Sequence, residues 1–429
     1  MTDDQKGLQD ETISSCARNV TLHLSRVALC WLTLALVGPW MVLLVVMWPQ
    51  WGKQCKEAWG IGEAKNKGLI RRCKPGPWGD LEFTRIAIEP PEAFVALSFD
   101  PDKKIQWVLP GYTPESARKL WNDVGLTPAQ QEALAAVTRW DATSHQVIVA
   151  PEREFLLNLD SNTRGRLYPV LGQFPENHLQ AHPYRFRANA MEEWFADSGL
   201  SDHTVQLIKK MFYFRGASVL FADEETLLPL IKTPAERLRA IKTLSRMSTL
   251  LVKLRVAPDS NLDELVNYWG RGRRSKDIRP LLSSLPKLPE GYLVDLVHLL
   301  PSFARKRLYT YPNPDADQNS GREDCHWTTL NFFNDTPDNR FLSVDEVRKF
   351  VETECYPVLG EPTFGDLVFL INKEGVAPHS CVYIADDIVF TKNGPEPYVP
   401  WILMELSDVQ AIYYTDPPLE VKFFRHKNL

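Results

Sequence analysis

"EDCHWTTLNFF", residues 323 to 333, sets an acid, a cysteine, a histidine and a tryptophan in a row where a helix is expected to begin. A structural cysteine rarely has polar neighbours on both sides, whereas a nucleophilic thiol gains from a helix N-terminus, whose partial positive charge favours the thiolate. Cys325 is therefore a candidate nucleophile. The elements C-terminal to it decide the fold around it. Ser343 and Glu346 have capping-box spacing ahead of a helix over "SVDEVRKFVETEC", with Val344, Val347 and Val351 on its buried face. Strands come next: "DLVFLI", a turn at 372–375, "HSCVYIA", a turn at Asp386 and Asp387, "IVFT", "WILMEL" and "LEVKFF". A cysteine-bearing helix packed on an antiparallel sheet is an α+β arrangement, expected over residues 306–429.

In this region the order Asp-Cys on a helix, then "GDLVFL", then "PHSCVYIADDIVFT" resembles the NlpC-type, papain-like cysteine peptidases. Their usual pattern is D-C-[ST]-G, then G-D-L-[VI]-x-F, then H-[VA]-G-[IV]-Y-[IL]-G ending in a third polar residue. The resemblance implies a papain-like domain with Cys325 as nucleophile and His379 as general base. It calls for no metal and no organic cofactor. Thiol chemistry needs the imidazole within hydrogen-bond reach of the sulfur, so that the thiolate attacks a carbonyl and the imidazolium then protonates the leaving amine. Counting as the family does puts the residue that orients the imidazole at Thr391, but Asn393, two positions on, is chemically better suited and is the expected third member. The backbone N–H of Cys325 would contribute to an oxyanion hole. Period-two geometry puts His379, Cys381 and Tyr383 on one strand face, and only one face can meet the helix. Asp366 is expected to cap or turn the strand start.

The chain also departs from the family: His326-Trp327 replaces [ST]-G, and Cys381 replaces a glycine. Both changes alter the substrate pocket. The implied reaction is hydrolysis of an amide bond through a thioester, in peptidoglycan stem peptides or something like them. Two rivals stand beside it: a non-catalytic envelope scaffold or binding module on the same fold, and a Cys-His acyltransferase acting on lipid.

Upstream, "VALCWLTLALVGPWMVLLVVMW", residues 27–48, carries no charge and is long enough to cross a hydrocarbon core of about 30 Å. It is expected to be a single transmembrane helix and a retained anchor, preceded by a tail at 1–26. The membrane is thus the first expected partner. Lys53, Lys56, Lys65 and Lys67 after the span would place the C-terminal part in the cytoplasm by the positive-inside bias, whereas a wall-directed peptidase belongs outside it. The net charge of −5 and pI near 6.0 imply no nucleic-acid partner. Of seven cysteines, Cys55 and Cys73 are the most plausible disulfide pair, with all thiols reduced as the open alternative.

Residues 75–305 are expected to form a mostly helical domain of unknown role. "LEFTRIAIEPPEAFVALSF" reads as two short strands broken by Pro90 and Pro91. Thr113-Pro114, Thr127-Pro128 and Thr233-Pro234 mark helix starts, the last two with capping-box spacing. "GLTPAQQEALAAV" is faintly echoed by "GLSDHTVQLIKKM", each closely preceded by a tryptophan, as a duplicated helical hairpin would be. The basic run "GRGRRSKDIRP" at 270–280 reads as a solvated loop.

Overall fold

The computed structural model describes residues 69–95, 100, 102–188, 191–216, 218–313 and 323–429, which belong to one compact unit. The expected membrane span and Cys16, Cys30 and Cys55 lie outside the described residues. Among the described residues no helix is long and apolar enough to cross a membrane. Cys73, Cys325, Cys355 and Cys381 are free thiols there.

The chain begins with β1 (Arg71–Arg72) and β2 (Asp80–Ile88). It continues as β3 (Trp107–Pro110), α1 (Pro114–Asp123), α2 (Pro128–Ala136), β4 (Thr138–Asp141), β5 (Gln146–Val149), α3 (Arg153–Leu157) and α4 (Ser161–Leu171). A short turn, α5 (His178–Ala181), leads to β6 (Tyr184–Arg187), α6 (Met191–Phe195), α7 (Asp202–Lys210), β7 (Tyr213–Arg215), β8 (Ser218–Phe221), α8 (Glu224–Leu227) and α9 (Pro234–Leu244). Then come β9 (Met247–Val256), α10 (Leu262–Trp269), α11 (Ser275–Ser283), β10 (Tyr292–Asp295) and α12 (Ser302–Arg307). The last part holds α13 (Cys325–Leu330), α14 (Val344–Glu354), β11 (Cys355–Pro357), β12 (Leu367–Ile371), β13 (His379–Ala385), β14 (Ile388–Lys392), β15 (Trp401–Glu405), α15 (Leu406–Ile412) and β16 (Glu420–His426).

The fold is mixed α+β with antiparallel sheets. The region expected to be mostly helical carries three of them: the strands of the two small sheets are short and overshadowed by the helix starts between them, and the ten-residue β9 was not expected. β1-β2-β9-β10 form one sheet, and β3-β5-β4 and β6-β8-β7 form two small ones. Past Pro90 and Pro91 the chain makes a 3₁₀ turn, Glu92–Phe94, and residues 96–99 of the expected second strand lie outside the described residues.

The faint echo coincides with a repeated topology. Each small sheet is built in the order strand, two helices, two-strand hairpin, helix, helix, and each places its first strand beside its third. Gly125 and Gly199, at φ +78° and +70°, precede the capping residues Thr127 and Ser201, where a Cβ would be strained. The last helix of each copy starts at a cap, Asp160 or Thr233, with an arginine four residues on. Arg164 donates to the carbonyls of Leu156 and Leu159, and Arg237 donates to those of Leu228 and Ile231. The copies differ in burial. Arg164 is fully buried, and its Nε also pairs with Asp223 at 3.0 Å, which accepts from Tyr168 at 2.6 Å.

All three Thr-Pro starts are caps. At Thr233 the reciprocal partner is lost, because the Glu236 carboxylate turns away to the hydroxyls of Ser201 and Thr204. Ser343 makes no side-chain cap, and Val344 is exposed, so the buried face of α14 rests on Val347. The basic run is a strut as well as a surface: Arg274 donates to the carbonyls of Leu299 and Leu300.

The C-terminal sheet runs β11-β16-β12-β13-β14-β15. One face, with Val382, Ile384, Phe390 and Leu403, shares a core with Leu81, Leu250 and Leu254 of the first sheet and with Trp269, Phe303, Trp327 and Leu330. That core runs straight through the 305/306 boundary read from the sequence. The other face, with Val368, Cys381, Tyr383, Val389 and Ile402, is covered by Val409 of α15. The Thr249 hydroxyl occupies the free edge of β15, donating to the Leu403 carbonyl and accepting from its N–H.

Arg164→Leu should cost about 3–5 kcal/mol, because it strands the buried Asp223 and two carbonyls. Arg237→Leu, in the half-buried copy, should cost about 1–3 kcal/mol. Urea unfolding of the two variants checks the order; equal losses would show that the copies do not divide the load this way.

Candidate functional site

Asp324 caps α13 through its carboxylate, which accepts from the Trp327 N–H at 2.8 Å, and this makes Cys325 the first helical residue. The helix body lies on the Ser380, Val382 and Ile384 face of β13. Ser380 Oγ sits 3.0 Å from Thr329 Oγ1, 2.9 Å from His326 Nδ1 and 3.4 Å from the Cys325 carbonyl. His326 also reaches the Ala377 carbonyl through Nε2 at 3.1 Å and stacks on Phe369. It therefore ties the helix to the approach of β13, a positioning role that fits its place beside the cysteine.

The Cys325 sulfur is at the other end of this contact, where the backbone N–H groups of Ser380 and His326 favour its anion. Ser380 follows His379 directly, so the sulfur lies by the peptide backbone at the start of the strand. His379 is completely buried. Its Nε2 is 3.0 Å from Thr391 Oγ1, and its ring stacks on Tyr413 with centroids 4.1 Å apart. Thr391 Oγ1 in turn donates to Asn393 Oδ1 at 3.3 Å. Asn393, expected to meet the imidazole, lies one residue past the end of β14, where its Nδ2 faces Met404 Sδ at 3.1 Å. Direct contact falls to Thr391, the position that family counting indicates; the chemical preference for an amide pointed one step too far.

Electrostatics at the site oppose the expectation of a resting thiolate. Burial, and then the Asp324 carboxylate, push the Cys325 thiol up to about 12, against the pull of the two N–H groups and of Lys392. The helix has six residues, and its cap already spends the positive end on a carboxylate. Burial, followed by the neighbouring His326, lowers His379 to about 3. At neutral pH the thiol and the imidazole are thus both neutral, and no hydrogen bond joins them: contrary to the expectation from strand parity, the helix body meets the Ser380 face of β13, and His379 shares the other face with Cys381 and Tyr383. Cys381 is fully buried on the face opposite the helix body, and its thiol is raised by burial and by Cys325.

The tautomer of His379 follows the direction of the Thr391 hydroxyl. With Thr391 donating to Asn393, its oxygen accepts from His379 Nε2–H, which leaves Nδ1 as the lone-pair nitrogen. That atom is buried and has no hydrogen-bond partner. Asp366 is structural: Arg425 grips both carboxylate oxygens at 2.7 Å, and it accepts from the Thr363 N–H.

Cys325 opens onto a cavity of about 620 Å³, lined also by His326, Asn393, Tyr413, Arg185 and His182. Its far wall comes from residues 181–185 and 244–247, next to and within the second repeat, so the duplicated region completes the site. At the rim, His178, His182 and Glu396 gather as a set with metal-ligand chemistry. No protein-family model, no curated protein and no solved structure matches the chain. Ser380, Thr391 and Tyr413 have no chemical signature of their own in the sequence; only the spacing from the histidine to Thr391 marked one of them.

Thr391→Val should cost about 1–3 kcal/mol, by leaving the buried His379 Nε2–H without a partner. Asn393→Ala, at a half-buried position one bond further away, should cost less. Chemical denaturation of both variants checks this, and a Thr391→Val protein as stable as wild type would remove Thr391 from the relay.

Proposed function

We propose that residues 306–429 form an NlpC-like, papain-type cysteine hydrolase that cleaves amide bonds in peptidoglycan stem peptides or similar short peptides, held at a membrane by residues 27–48. The observation that carries the reading is the polar line from His379 through Thr391 to Asn393, on strands whose near end meets the Cys325 sulfur, an arrangement that would orient an imidazole as general base. With both groups neutral, proton transfer would be concerted with attack, the mode used by serine hydrolases, and it requires Cys325 Sγ to come within reach of His379 Nδ1, which has no hydrogen-bond partner at rest. Sulfur bonds to the carbonyl carbon as its proton passes to His379. The imidazolium then protonates the leaving amine, and water hydrolyses the thioester with His379 again taking the proton.

A non-catalytic scaffold is the second reading, favoured by the burial of Cys325 and by the Tyr413 ring laid over His379. Limiting iodoacetamide across pH 5 to 9, with modified positions mapped, separates the two. For a catalytic pair the Cys325 rate is nearly level across the window, because His379 stays in its base form above about 3 and the thiol does not titrate below about 12. The rate then falls in His379→Ala. Cys355, raised to about 11 by burial and Glu354, supplies the contrast, with a rate rising about tenfold per pH unit. A Cys325 rate that climbs in the same way and ignores His379→Ala would leave the scaffold as the function.

A further inference from the structure

We infer that His178, His182 and Glu396 bind a divalent transition-metal ion of the zinc class at the mouth of the Cys325 cavity. The two histidines stand one helical turn apart on α5 and its C-cap, with ring centroids 5.1 Å apart. Glu396 arrives from the loop after β14. The ligand atoms of all three lie within 4.8 Å of one another. Two imidazole nitrogens and a carboxylate oxygen suit zinc, whose tetrahedral bonds of about 2.0–2.2 Å require the donors to close on one another by up to about 1.5 Å. Rotation of the two exposed histidine side chains supplies that movement. Calcium and magnesium, which take oxygen ligands, do not fit this set.

Both backbones that present the ligands are held from behind. Asn177, buried at the start of α5, accepts from the Val108 N–H at 2.8 Å and donates to the carbonyls of Val108 and Leu171 at 2.8 and 2.9 Å. On the other side, the Lys392 ammonium donates to the carbonyls of Gly394 and Glu396, and the Val399 N–H bonds back to Glu396. Donors on anchored backbone are the condition for a site that does not have to be built by the ion. His182 and Glu396 also line the cavity, so a remaining coordination position is reachable from the space that Cys325 faces. A bound ion ties the linker between the repeats to the loop of the six-stranded sheet. Neither the ligands nor the test depends on Cys325 being a nucleophile.

The experiment uses tag-free full-length protein freed of metal by chelator, with Zn²⁺ binding followed by calorimetry and thermal melting. One ion should bind per chain and raise the melting temperature, and EDTA should reverse the rise. His182→Ala and Glu396→Gln should each weaken binding by at least about tenfold and abolish the rise. His178→Gln removes an exposed ligand, so its loss of binding with an unchanged metal-free melt separates a missing ligand from a folding defect. His145→Ala, at an exposed histidine stacked on Trp140, should bind as wild type does. Absence of saturable Zn²⁺ binding, or ligand variants that bind as tightly as wild type, overturns the site.

Discussion

The hydroxyl of Ser380 holds the C-terminal region together. One oxygen on β13 meets Thr329, His326 and the Cys325 carbonyl, so the helix carrying the cysteine is seated on the strand carrying the histidine by polar contacts as well as by packing. The Ser380 hydroxyl is fully buried, where without partners it would cost a few kcal/mol. Every alternative register of the helix would break the seat. The sulfur's position by the strand backbone is set by this seat.

Around the seat, the two repeats and the six-stranded sheet divide the labour. Cys325 meets the start of β13, the strand that His379 begins and from which it reaches Thr391 on β14, whereas the second repeat and its linker wall the space into which the sulfur opens. Burial is the dominant influence there, strong enough to reverse what a helix start would do to a thiol. Asp324 adds to this: as a cap it stabilises α13, and as an anion beside the sulfur it disfavours a second anion.

Much of the C-terminal sheet was legible in the sequence, because β12 to β15 are continuous apolar runs separated by turn residues, as strands buried on both faces must be. The Thr-Pro helix starts were equally plain, since proline at the first helical position and threonine before it act through local geometry alone. The duplication was nearly hidden: the copies share backbone topology and a few anchors, and an arginine bonded to carbonyls can be buried in one copy and half-exposed in the other. At the site, spacing located Thr391, but a preference for amide chemistry drew attention to Asn393. The sealing of His379 by Tyr413 could not be read, because α15 returns to the strand from a distant part of the chain.

The outer edge of β15 is closed by the protein itself. Thr249 satisfies both backbone groups of Leu403, and residues 309 and 310 do the same for Trp401. A peptide therefore cannot extend this sheet at β15 by lining up as one more strand, a mode in which main-chain hydrogen bonds supply the affinity. On the proposed hydrolase reading, a peptide in the Cys325 cavity would be held by its side chains and termini rather than by main-chain pairing along β15.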